Sequence, residues 1–325
     1  MLGYFNRTHA AQVGSWDTFQ GFLIFEVLLI IVSFLSISFW FLVILTAKNM
    51  HPNFRIINAF YYGQYLIQLS FWVIQPFIIL REGLDDSDKF GNSLFTLCSY
   101  VRIVGIFYAF CALPALVIER SFATYLLESY EKKPNLCIGT FIVMFQWATA
   151  ASVGIHFNRA SNTVEHTAGA IIANSLAVIL NKFNEKLNSK YYYAMDRASY
   201  SLSERFQITE NIKTAKTFNN IVFSIGFFNT IVNVCLILDN YDIPVTYKNI
   251  ASVCCDYAIL LYGIIVPIVY YIQTESWQKR VAVMMKGCCK PKVVPLKDTF
   301  GHDMTSHGAC EETTRYFEML ATQWK

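Results

Sequence analysis

Seven apolar stretches fill most of this sequence, and short polar links separate them. They lie at roughly 20–47, 54–80, 93–118, 136–157, 166–181, 216–238 and 247–272. Crossing a bilayer takes about 20 residues of helix. The expected fold class is therefore an all-α membrane protein, a seven-transmembrane helix bundle. Only 15% of the 325 residues are charged, where a soluble domain carries about a quarter. The fifth stretch is the most polar: it opens with HTAGA and contains Asn174. It is kept because the charges of the links balance only with it present.

Those charges orient the bundle. With the N-terminus outside, the outer segments hold five Lys and Arg (Arg7, Arg81, Lys89, Arg159, Lys248), the inner segments hold twenty, and Arg102 lies within the third stretch. Cytoplasmic links are the basic ones, so the N-terminus is expected outside and the C-terminus inside. The outer links GLDDSDKF (83–90) and LDNYD (238–242) are acidic. Residues 1–19 lack the apolar core of a cleavable signal, so the first stretch is expected to act as its own insertion signal. They read as an extracellular tail, followed by the transmembrane domain at 20–272. Asn6-Arg7-Thr8 is the only N-x-S/T triplet and makes Asn6 a glycosylation candidate.

Glu119 and Arg120 follow the apolar run of the third stretch, at its cytoplasmic end on this orientation. An ion pair is tolerated there and costly at mid-bilayer. The plain alternative is an arginine that only snorkels to the interface. Three ionisable residues lie inside stretches: Glu26, Arg102 and Asp256. Each sits roughly 9–14 Å from the outer end of its helix. Such residues usually face inward, pair with one another and mark functional sites. Arg102 precedes Arg120 by 18 residues, or five helical turns. Both should point the same way unless Pro114 bends the helix. Ile106 and Ala109 lie between them on that face. With Gln75, Asn229 and Asn233 these residues are the ligand-pocket candidates. Interhelical hydrogen bonding is the commoner use of such amides, as it is of Gln64 and Gln68.

Beyond the seventh stretch, Trp277, Val281, Met284 and Cys288 recur at helical spacing. Residues 273–289 therefore read as an amphipathic juxtamembrane helix on the inner leaflet. Cys288 and Cys289, flanked by Lys286 and Lys290, are palmitoylation candidates. Residues 290–325 read as a flexible cytoplasmic tail. None of the nine cysteines forms a CxxC pair or a Cys/His cluster with metal spacing. The six histidines fall at stretch ends, in links or on the tail, with no HExxH, GxSxG or paired carboxylates at membrane depth. No catalysis, metal or cofactor is expected. The basic inner links need no nucleic acid to explain them. No internal repeat suggests a transporter, and no pore-like filter suggests a channel, although a ligand-gated channel or transporter is the main rival reading.

Three blocks carry a resemblance. ALPALVIERSFATYLLESYEKKP (112–134), YSLSERFQITENIK (200–213) and VPIVYYIQTESWQKR (266–280) occur in order around the third span, the third inner loop and the seventh span. Together they resemble the nematode serpentine chemoreceptors, most closely the Sre family within the wider Sra, Srab, Srb and Sre group. The resemblance implies a G-protein-coupled chemosensory receptor of the plasma membrane, displayed on sensory neurons and their cilia. Its partners would be a small-molecule chemical ligand, a heterotrimeric G protein and the lipid bilayer, with a second receptor copy also admitted. It implies a coupling role for Glu119, Arg120, Arg205, Pro267 and Tyr270. Glu119-Arg120-Ser121 departs from the Asp-Arg-Tyr order of rhodopsin-like receptors, the seventh span lacks their Asn, and the sixth has no proline. The second outer loop has no cysteine, so Cys98 cannot make the bridge usual in those receptors, and nothing in the sequence supports Cys254 or Cys255 as a partner instead.

Overall fold

The computed structural model describes residues 5–47, 51–82, 92–126, 136–160, 162–194 and 202–285, with backbone only at 202–207, 210, 218, 220, 275 and 276. All regular structure among them is helical: α1 (Arg7–Gln12), α2 (Trp16–Thr46), α3 (Pro52–Trp72), α4 (Ile74–Glu82), α5 (Ser93–Phe110), α6 (Ala112–Tyr125), α7 (Leu136–Arg159), α8 (Val164–Ala194), α9 (Leu202–Leu238), α10 (Val245–Gln273) and α11 (Glu275–Met284). Residues 1–281 form one unit; of the second, 282–325, only the first few residues are described.

Six members are long and apolar enough to cross a membrane: α2, α3 with α4, α5 with α6, α7, the later part of α9, and α10. α8 is equally long at 31 residues, but one of its faces is polar. Residues on its other sides, such as Ile172, Leu176 and Ile179, are exposed. It packs against α6 and α9 as the seventh member of the bundle.

The bundle is apolar outside and partly polar inside. Leu28, Leu35, Phe141, Met144 and Phe223 face outward, while Gln68, Asn58, Gln146 and Asn233 are buried. Water would penalise that distribution, and hydrocarbon favours it.

Two of the spans are broken rather than straight, each beside a proline. Pro76 has no N–H for the Trp72 carbonyl, and the helix breaks at Val73. Pro114 likewise frees the Phe110 carbonyl, and the helix breaks at Cys111. Asn174 of α8 donates its amide to that carbonyl at 3.0 Å. The polar residue that made the fifth stretch look weak thus satisfies a backbone group freed in the third.

Close approach of α7 to α5 depends on Gly154. A Cβ there would lie 2.9 Å from the Val104 Cα, and backbone cannot yield as a side chain does. Gly154→Ala is expected to cost about 1–3 kcal/mol through overpacking. Gly226→Ala, with nothing within 4 Å, should be neutral or slightly stabilising. Melting midpoints of the two purified variants check the contrast.

Several boundaries need correcting. The N-terminal segment is not a free tail: Phe5 is buried and α2 already starts at Trp16. The polar link between the fifth and sixth stretches, 182–215, is largely the continuation of α8 and α9, and its residues bond across the helices. α11 does not lay its stripe on lipid at Trp277. That indole is fully buried, stacked at 5.4 Å on both Trp40 and Tyr270, so protein supplies the apolar cover. Cys288, Cys289 and the 290–325 tail lie outside the described residues.

Candidate ligand pocket and coupling face

Arg102 and Arg120 mark opposite ends of the third span, and both are buried. At the first end α5 carries Arg102 inward to meet α10. Its Nη2 lies 2.9 Å from Asp256 Oδ1. This is an ion pair more than an aligned hydrogen bond, since Oδ1 finds no donor in hydrogen-bonding geometry. Arg102 Nη1 donates to Gln75 Oε1 at 3.2 Å. The guanidinium lies over the Trp72 ring, 4.9 Å from its centroid. Trp72 in turn donates its indole N–H to Glu26 Oε1 at 2.8 Å. Glu26, Arg102 and Asp256 come from three different spans and line one pocket with Gln75 and Phe5. Two carboxyl groups, one guanidinium and one amide thus share the pocket, which offers both hydrogen-bond donors and acceptors.

The N-terminal segment closes this end. Asn6 and Asn249 exchange two hydrogen bonds, at 2.9 and 3.2 Å. Arg7 Nη1 donates to the carbonyls of Ile79 and Leu80, which α4 leaves near its C-terminus. The Asn6 Oδ1 caps α1 by accepting from the His9 amide.

Deeper in the bundle, Ile106, Ala109 and Asn229 line a second cavity with Tyr65, Gln68 and Tyr262. Its volume is about 20 Å³, room for little more than one water. Gln68 reaches across to the Arg102 carbonyl at 3.3 Å. Asn233, next in the chain to the cavity-lining Val232, is buried, and its Oδ1 has no partner among the described residues. The eight pocket candidates therefore fall into an ionisable group (Glu26, Gln75, Arg102, Asp256), a cavity group (Ile106, Ala109, Asn229) and Asn233. Among the described residues no disulfide forms: Cys98, Cys254 and Cys255 are free thiols.

At the opposite end Arg120 lies against its own neighbour. Its Nε and Nη2 donate to the two carboxylate oxygens of Glu119, a bidentate pair of the strong kind. Glu119 is fully buried, with His51 Nδ1 3.7 Å away, and the Phe54 ring lies against the guanidinium. Pro267 and Tyr270 sit on α10, and Tyr270 is held in the stack on Trp277. Arg205 lies in α9, and its side chain is outside the described set.

Sequence reasoning missed a chain of amides at this end. Asn188 of α8 donates to Thr124 Oγ1 at 2.9 Å and accepts from Asn211 of α9 at 3.2 Å. Asn184 donates to the Ser121 hydroxyl at 2.8 Å. Asn181 donates to Asn219, which donates to Glu185. Thr124 itself bonds back to the Arg120 carbonyl at 2.9 Å. The turn that bears Arg120 is thereby tied through α8 to α9. Asn174, Asn181, Asn184 and Asn188 follow steps of seven, three and four, the signature of one helical face, and that signal was present in the sequence.

Comparison with known proteins agrees on one family. Residues 6–325 match the family model described as Sre G protein-coupled chemoreceptor. The chain is 30% identical to serpentine receptor class epsilon-13 of Caenorhabditis elegans, over 99% of this chain and 96% of that protein. It is 27% identical to serpentine receptor class epsilon-12 of the same organism, over 100% and 99% of the two lengths. Serpentine receptor class epsilon-8, also from C. elegans, is 27% identical over 97% and 94%.

Proposed function

The chain belongs to the Sre family of G protein-coupled chemoreceptors, and we propose that it binds a small external chemical at the Arg102 end and activates a heterotrimeric G protein at the Arg120 end. As a member of that family it is a multi-pass membrane protein and a receptor rather than an enzyme. The proposal adds the orientation, N-terminus outside and C-terminus inside, and a place in the plasma membrane of a sensory cell.

One observation carries the reading: the buried ionisable side chains of the spans are sorted to the two ends. Glu26, Arg102 and Asp256 gather around a pocket at one end. The Glu119–Arg120 pair closes the other. The link segments divide five cations against twenty, which supports placing the Arg120 end in the cytoplasm. The cavity between the ends has little free volume, so a ligand larger than water has to part the helices around Ile106, Ala109 and Asn229. That separation is the means by which ligand binding would shift the bundle toward an open state.

An epitope between Ala194 and Leu202 tests the orientation without a ligand. That link avoids the asparagine face of α8. Antibody is expected to reach it only after cells are permeabilised. Labelling of intact cells would put Arg120 outside and remove the G-protein reading.

A further inference from the structure

His156 and His166 belong neither to the pocket nor to the coupling face, yet they are held facing each other. His156 lies in the last turn of α7 and His166 in the first turn of α8. The Nδ1 of the first is 2.7 Å from the Nε2 of the second. Their ring centroids are 4.9 Å apart, with the planes 30° from parallel.

The surroundings fix this arrangement. Phe157 is buried and meets the His166 ring edge-on at 5.7 Å. The link between the helices is tied down at Thr163, whose amide and hydroxyl both reach Asn240 Oδ1, at 2.8 and 3.1 Å. His156 itself is exposed at the rim. The pair is therefore pre-positioned from behind and open in front.

Two neutral imidazoles at this distance share one proton between facing nitrogens. A borderline metal ion takes the place of that proton: the donor ring shifts its proton to its other nitrogen, and the two facing lone pairs bind the ion. Bonds of roughly 2.05 Å at a tetrahedral angle would set the nitrogens about 3.3 Å apart. That is roughly 0.6 Å wider than the observed 2.7 Å, a change that small side-chain rotations supply. Among the described residues no third His, Cys, Asp or Glu completes a cluster, so water would fill the other positions. An open site with two protein ligands suits an ion that comes and goes rather than a permanent structural one.

We propose that His156 and His166 form a binding site for a divalent transition-metal ion: Cu²⁺, Zn²⁺ or Ni²⁺. Imidazole nitrogen selects these ions, whereas Mg²⁺ and Ca²⁺ seek oxygen. A bound ion joins the adjacent ends of α7 and α8. α8 also holds the freed Phe110 carbonyl through Asn174 and the Arg120 turn through Asn188. The ion thus acts on the helix that touches both halves of the third span.

The test uses the full-length receptor purified in detergent, with Zn²⁺ as the probe. Calorimetry should show Zn²⁺ binding, and the melting midpoint should rise on adding Zn²⁺ but not Mg²⁺. H156A and H166A should each weaken Zn²⁺ binding at least about tenfold, the loss that even outer-shell changes produce at metal sites, and abolish the Zn²⁺-dependent rise. Metal-free midpoints report whether each variant folds. Either variant suffices, because each leaves a single imidazole. Failure of the wild-type receptor to bind Zn²⁺, or undiminished binding by a folded variant, would overturn the proposal.

Discussion

Asp256→Ala is expected to remove most of the receptor from the cell surface. The substitution leaves the Arg102 guanidinium buried without its counter-ion. Breaking a buried pair from one side costs about 3–5 kcal/mol, a large part of the roughly 5–15 kcal/mol that holds a typical domain folded. Arg102→Ala should cost less than that. It leaves Asp256 uncompensated, but a carboxylate can take up a proton, and an arginine cannot lose one. Removing both charges in R102L/D256L should recover much of the loss, since apolar replacement of a buried pair is often neutral or stabilising. The charge swap R102D/D256R should recover only part of it. Gln75 and the Trp72 face are arranged for a guanidinium on α5, and the swap moves the guanidinium to α10. Surface expression and thermal unfolding of the four variants decide the matter. Additive effects of the single substitutions would show that the two residues do not act as a pair.

The same geometry bears on recognition. Arg102 already has a carboxylate, an amide oxygen and an aromatic face. An acidic ligand group would have to displace Asp256 to reach it. A hydrogen-bond donor can instead meet Asp256 Oδ1, which accepts no hydrogen bond, without displacing the pair. Once R102L/D256L is shown to fold, its ligand response separates pairing from recognition: a folded receptor with altered response gives the pair a role beyond holding helices.

The architecture was legible because seven apolar stretches in a row admit few folds. Arg102 and Arg120 are both buried, as their 18-residue spacing leads one to expect, but the helix between them breaks at Cys111, so the count of whole turns does not by itself fix their relative direction. The breaks at Val73 and Cys111 leave little trace in hydropathy, although Pro76 and Pro114 mark them. The asparagine face of α8 was hidden by the choice of window. Cutting the fifth stretch at 181 left Asn184 and Asn188 in a supposed loop, and the amides that looked unfit for a membrane turned out to bond α6 and α9. The stack of Trp277 on Trp40 and Tyr270 was not legible at all. Periodicity shows that a face is apolar, but not whether lipid or protein covers it.

Asn188→Leu is expected to raise signalling in the absence of ligand. Among the described residues, the Asn188 side chain touches both the Thr124 hydroxyl of α6 and Asn211 of α9. Thr124 holds the carbonyl of Arg120, so the amide ties the turn of the proposed coupling residue to the sixth span. Side-chain hydrogen bonds between membrane helices average about 0.6 kcal/mol and reach about 1.7. Losing two of them weakens the closed state by about 1–2 kcal/mol, a roughly five- to thirtyfold change in a two-state equilibrium. Basal signalling should rise within that range, while surface expression falls little. Arg120→Ala should abolish signalling with expression mostly intact, and it should do so equally in the Asn188→Leu background. That ordering follows if the amide restrains a conformational change and the arginine makes the contact that the change exposes. A double variant that still signals would take coupling away from Arg120. An Asn188→Leu receptor that stays silent without ligand, yet folds, would show that the amide chain only builds the bundle.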